Sequence, residues 1–197
     1  MASGEELNTG EATEPRQAAT VIVLRGGGDR LEVLLVRRNP EARFMGGAWV
    51  FPGGAVDGGG GEDHRVAGVR EVAEEAGVEL PDPEALVLFS RWITPPQVRI
   101  RFDTLFYLVA APAGAEPRPD GGETVDVRWY EPQAALDADI ELVFPTIKTL
   151  EALARFGSAD ELLSWADGRD VEPIEPVVVI EGEIARVILP GEPGYRD

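Results

Sequence analysis

The chain has 197 residues, 44% of them hydrophobic, and a formal net charge of -18, with one histidine, one lysine and no cysteine. Such a composition describes a soluble globule of one sizeable domain with or without a small extension, and it excludes disulfides, thiolate nucleophiles, Cys-ligated zinc and HExxH zinc sites. No apolar run reaches the roughly 20 residues that span a bilayer and no signal-peptide core opens the chain, so a cytoplasmic location without a membrane partner is expected.

The acidic balance argues against a nucleic-acid surface. Lys148 follows no glycine, so the glycine runs form no Walker P-loop. A site in this chain is built mainly from carboxylates, arginines, hydroxyls and backbone. That donor set suits a hard, oxygen-seeking cation such as Mg²⁺.

Residues 1 to 17 are polar and aperiodic and read as a mobile tail. "ATVIVLR" and "LEVLLVRR" are β-rich runs, and "GGGDR" between them reads as a hairpin connection rather than a phosphate-cradling loop. "AWVFPGGAV" predicts a strand running into a turn, followed by the flexible "GGGG" of residues 58 to 61. A helix is predicted from about Asp63 to Ala76, with Gly77 as its C-cap. "ALVLFSRW", "IRFDTLFYLVAA" and "TVDVRWY" are strand candidates. "FPTIKTLEALARF" and "ADELLSWAD" are helix candidates, and "PVVVI" and "ARVILP" suggest a last strand pair. The expected organisation is one α/β domain over residues 18–135, with a helical and β extension over 136–197 packed behind it.

The predicted helix carries unusual charge. In "REVAEEAGV", residues 70 to 78, Glu71, Glu74 and Glu75 crowd three carboxylates into five positions. At about 100° per residue they share one arc with Arg70, while Val66, Val69, Val72, Ala73 and Ala76 gather opposite as the face to be buried. Small Ala67 and Gly68 leave room one turn earlier. Carboxylates at such spacing repel unless solvent, an arginine or a metal ion offsets them.

These residues resemble the Nudix box, G-x5-E-x7-R-E-U-x-E-E-x-G-U with U aliphatic. Glu62, Arg70, Glu71, Val72, Glu74, Glu75, Gly77 and Val78 stand in register, and "FPGG" lies immediately upstream. One departure is a loop of seven residues between Gly54 and Glu62 where the pattern has five, which puts the usual role of Glu62 in question. The resemblance implies a Nudix-type α/β/α sandwich with a mixed sheet, and hydrolysis of the pyrophosphate of a nucleoside diphosphate derivative. It further implies Glu71, Glu74 and Glu75 as ligands of Mg²⁺ or Mn²⁺, and Arg70 as the residue that orients a carboxylate of the cluster. Glu71, Glu75 and Glu123 are the candidate general bases. A homodimer is compatible with the family.

"LLVRRNPEARFMGGAWVFPGG", residues 34 to 54, resembles the signature of the coenzyme A diphosphatase branch, LLTxR(S/A)-x3-R-x3-G-x3-FPGG. Val36 and Asn39 depart from it. By that resemblance Arg38 and Arg43 help bind nucleotide phosphates beside Gly53 and Gly54, and the substrate is CoA or an acyl-CoA. Pro95 and Pro96 lie close to where ADP-ribose-cleaving members carry a proline, so ADP-ribose or a nucleotide sugar is the alternative. A non-catalytic nucleotide-binding domain is the alternative of another class. Trp49, Trp92, Phe102 and Phe106 read as core, and His64 as surface.

Overall fold

The computed structural model describes residue 8 and residues 10–28, 30–43, 45–58, 61–181 and 184–195. Among these residues lie ten strands and four α-helices: β1 Arg16–Arg25, β2 Glu32–Arg38, β3 Trp49–Val50, β4 Gly53–Ala55, α1 His64–Ala76, β5 Val87–Ile93, β6 Phe102–Ala110, β7 Thr124–Tyr130, α2 Pro132–Asp137, α3 Phe144–Leu153, α4 Ala159–Ala166, β8 Pro173–Ile174, β9 Val177–Glu181 and β10 Ile184–Ile188.

Eight strands form one mixed sheet. β1 is its centre. It runs parallel to β6 along its whole length, from Arg16↔Phe102 to Leu24↔Ala110. Its other edge is shared: β4 pairs with residues 18 to 20, and β2 pairs antiparallel at Leu24↔Val33 and Arg25↔Glu32. The β1–β2 connection turns at Gly26, whose φ of 101° and closeness to the Arg30 carbonyl leave no room for a side chain. β9 and β10 make a separate antiparallel hairpin.

β1 is buried on both faces, as expected for a strand with helices on either side. Ala19, Val21 and Val23 point to α1, together with Leu34, Val36, Tyr107 and Val109. Ile22, Leu24, Val33, Leu35 and Leu108 point the other way, onto Leu150 and Leu153 of α3 and Leu162 of α4. The protein is therefore an α/β/α sandwich. α1 forms one layer and α2 to α4 the other.

α1 starts at Asp63, whose carboxylate accepts from the Arg65 amide, and ends at Gly77, in the left-handed conformation at φ 63°. Its buried stripe differs from the expected one. Val66 is 46% exposed, whereas Ala67, Gly68, Val72, Glu75 and Ala76 are buried. The cause is close approach to β1: a Cβ on Gly68 would lie 2.8 Å from Val21 Cγ2. The small residues read as spare room thus form the contact, and the rotation carries Glu75 into the interior.

Residues 1–7 and 9 of the expected tail lie outside the described residues. β1 begins two residues inside that segment, at Arg16. Ahead of it, the Asn8 amide donates to the Gln97 carbonyl, and Thr13 Oγ1 to the Arg99 carbonyl. At the other boundary, α2 spans residue 135, and the extension shares its core cluster with the sheet.

Candidate active site

β4 and α1 place the site. Gly53 and Gly54 run along β1 and pass over α1 at Glu71 and Glu75. The Gly53 amide donates to Glu75 Oε2 at 2.9 Å. Gly53 cannot carry a side chain, because a Cβ would lie 2.7 Å from Thr20 Cα. On Gly54 it would collide with the Glu71 carboxylate. The two glycines therefore bring bare backbone against two carboxylates.

All four residues line a cavity of about 740 Å³, with Arg38 and Glu123 beside them. Arg38 and Glu123 also border a smaller cleft of about 370 Å³, which includes Asn39, Glu41, Ala42 and Gly122. Burial raises the Glu75 pKa to about 7; the Gly53 amide opposes that shift, and the charges of Glu71 and Glu123 add to it. Burial likewise raises Glu71, against the pull of Arg70. Carboxylates packed this way favour a bound cation, and their hard oxygen donors fit Mg²⁺ or Mn²⁺ in chemistry. Among the described residues no three acidic side chains converge closely enough to form a finished metal cage.

Arg70 sits behind this cluster. Its guanidinium donates to Glu62 Oε1 at 3.0 Å, Glu71 Oε1 at 2.8 Å, Glu74 Oε2 at 3.0 Å and the Ala55 carbonyl at 3.2 Å. The three glutamates, Glu62 first, raise its pKa further. Glu62 also accepts from the Asp57 amide, and it reaches Arg70 despite the two extra residues that precede it in the sequence. Arg70 and the Asp57 amide together hold Glu62 below the usual carboxylate range.

The sequence-predicted residues divide into two groups. Glu71, Glu75, Gly53, Gly54, Arg38 and Glu123 meet in the cavity. Glu74 and Arg43 are not among its lining residues: the Glu74 side chain is 59% exposed and paired with Arg70, and Arg43 is exposed on a turn. Trp49, Trp92 and Phe106 are core as expected, Phe102 is only half-buried, and Trp92, Phe102 and Phe106 line the cavity. His64 Nε2 lies 3.0 Å from Gln17 Oε1.

Residues with no assigned role in the sequence hold the Glu123 loop. Asp120 accepts from the amides of Gly122, Glu123 and Thr124. Burial alone would raise the Asp120 pKa, but those donors and the Thr124 hydroxyl outweigh it and hold it at about 2. Thr124 Oγ1 lies 2.6 Å from the Glu75 carbonyl and 2.8 Å from Asp120 Oδ1, which ties the loop to α1. Asn39 donates from Nδ2 to the Gly122 carbonyl and from its amide to the Glu123 carbonyl. Asp-Gly-Gly is a turn signature that pointed to Asp120. Nothing local pointed to Thr124.

The NUDIX domain model matches residues 14–152. This chain belongs to the NUDIX family. It is 32% identical to human acyl-coenzyme A diphosphatase NUDT19 over 126 residues, 59% of this chain and 34% of that protein. It is 28% identical to putative nudix hydrolase 7 of Caenorhabditis elegans, over 95% of this chain and 77% of that one. The chain thus spans about a third of the human relative and about three quarters of the nematode one. The NUDIX hydrolase from Alicyclobacillus acidocaldarius superposes with a TM-score of 0.69 at 29% identity, covering 77% of this chain and 96% of that one. Together these matches agree with membership of the NUDIX family. Among the described residues no helix is long and apolar enough to cross a membrane.

Proposed function

We propose that this NUDIX protein hydrolyses the pyrophosphate of CoA or an acyl-CoA, releasing 3′,5′-ADP and a phosphopantetheine, with Mg²⁺ or Mn²⁺ as cofactor. The observation that carries the reading is one cavity bordered at the same end by Glu71, Glu75, the Gly53–Gly54 backbone, Arg38 and Glu123. Identity to the human acyl-coenzyme A diphosphatase supports the choice of diphosphate, and so does the arginine spacing upstream of the box.

Glu71 and Glu75, joined by Glu123, would hold the ion; the resemblance adds Glu74. When bound, the ion neutralises the diphosphate and makes water more acidic. Arg38 binds a phosphate oxygen through its planar guanidinium, and Arg43 is the second phosphate-binding candidate. Gly53 and Gly54 let the diphosphate approach the backbone. A carboxylate of the Glu71, Glu75 and Glu123 set accepts the proton of the attacking water. Arg70 keeps Glu71 in place and does not touch substrate.

Product analysis with Mg²⁺ on CoA, acetyl-CoA, ADP-ribose, a sugar nucleotide, NADH and dGTP tests this. Release of 3′,5′-ADP from CoA, abolished by EDTA, is the expected result. Preferred cleavage of ADP-ribose would transfer the assignment to nucleotide sugars. Binding without turnover on the whole panel would make the protein a ligand-binding domain.

A further inference from the structure

The cavity is lined by two chemically different kinds of residue. Besides the carboxylates and Arg38, its lining includes Trp92, Phe102, Phe106, Phe144, Val178 and Val187. The aromatic faces suit a base as well as a chain, but Val178 and Val187 offer a charged diphosphate nothing, whereas an aliphatic chain gains about 25 cal/mol per Å² of apolar area withdrawn from water. Ile100 lines the same cavity and is 45% exposed, so a large apolar side chain is left open to solvent beside it.

Part of this wall comes from the β9–β10 hairpin. Val178 and Val187 are directly paired across the two strands, which sets their side chains next to each other on one face. Both lie beyond residue 152, where the family match ends. The hairpin is also held in place. Arg101, only 9% exposed at its side chain, donates to the Thr94 carbonyl at 2.9 Å and to Glu175 Oε1 at 2.7 Å. Thr94 borders the cavity, and Glu175 immediately precedes Pro176 and β9. Tyr195 Oη donates to the Glu175 carbonyl at 3.0 Å, giving the same segment a second anchor. The wall is therefore formed before any ligand arrives.

We infer that the β9–β10 hairpin is the specificity element of this protein: Val178 and Val187 pack against the acyl chain of an acyl-CoA and favour it over free CoA. This rests on the CoA reading above. Free CoA lacks the acyl chain that these valines would cover, so the wall acts on the ratio of the two activities.

The test compares kcat/KM for decanoyl-CoA and free CoA in the native protein and in V178D, V187D and I180D. A charge at 178 or 187 is expected to lower the decanoyl-CoA to CoA ratio about tenfold or more. I180D serves as the control, because Ile180 is 57% exposed and is not a lining residue; its ratio should match the native one, with an unchanged thermal midpoint. An unmoved ratio in V178D and V187D would overturn the inference, as would an equal fall on both substrates. Failure of the CoA reading itself appears earlier and separately, as absence of turnover on both CoA compounds in the native protein.

Discussion

Two arginines gather several acceptors each, in opposite ways. Arg70, 35% exposed at its side chain, collects Glu62, Glu71, Glu74 and the Ala55 carbonyl, all within 15 positions of it. Arg101, 9% exposed, collects Thr13, Thr94 and Glu175, two of them 88 and 74 positions away. The first organises charge on one helix and the loop before it. The second fastens the N-terminal segment and the start of the β9–β10 hairpin to the β5–β6 connection. Local spacing makes one visible in the sequence, and chain folding alone creates the other.

Breaking the charged region should have the largest effect. Glu71→Gln and Glu75→Gln are each expected to lower turnover at least about 100-fold by removing an anion from the cavity. Glu75→Gln should leave the thermal midpoint unchanged or higher, since it removes a buried charge. Glu74→Gln should cost less turnover than either, because Glu74 is not a lining residue. Equal losses in all three would return Glu74 to the ligand set.

The two arginines should separate next. Arg70→Ala is expected to reduce turnover about 10- to 100-fold, the usual scale for a residue that orients ligands, while costing about 1 kcal/mol or less of stability. Arg101→Ala should cost about 2–3 kcal/mol, because it strips charge-assisted bonds from a buried guanidinium. Urea denaturation together with steady-state rates measures both. An Arg101 variant as stable as the native chain would end the contrast.

The smallest effect concerns the loop that carries Glu123. The Asp120 pKa is lowered to about 2, below its unfolded value of about 3.9, so its contribution is present above pH ~4 and is lost as pH falls toward 2. Thermal midpoints recorded across that range should fall less steeply for Asp120→Asn. Parallel acid limbs would mean that the Asp120 charge does not hold the loop.

The box glutamates, Arg70, the C-cap Gly77 and the strand candidates were legible in the sequence because each depends on spacing within one helix turn or one strand. The burial of Glu75 was not. Its direction follows from how closely Gly68 lets α1 approach Val21, a distance set across the sheet. Glu62 belongs to the same group, since the length of its loop was visible but its closure through Asp57 was not. The family was therefore written in local order along the chain. Which carboxylates face the cavity, and which remote valines line it, depended on the packing of segments far apart in sequence. Helical periodicity sets neighbours three or four residues apart, but it carries no information on contacts between elements that only the folded sheet brings together.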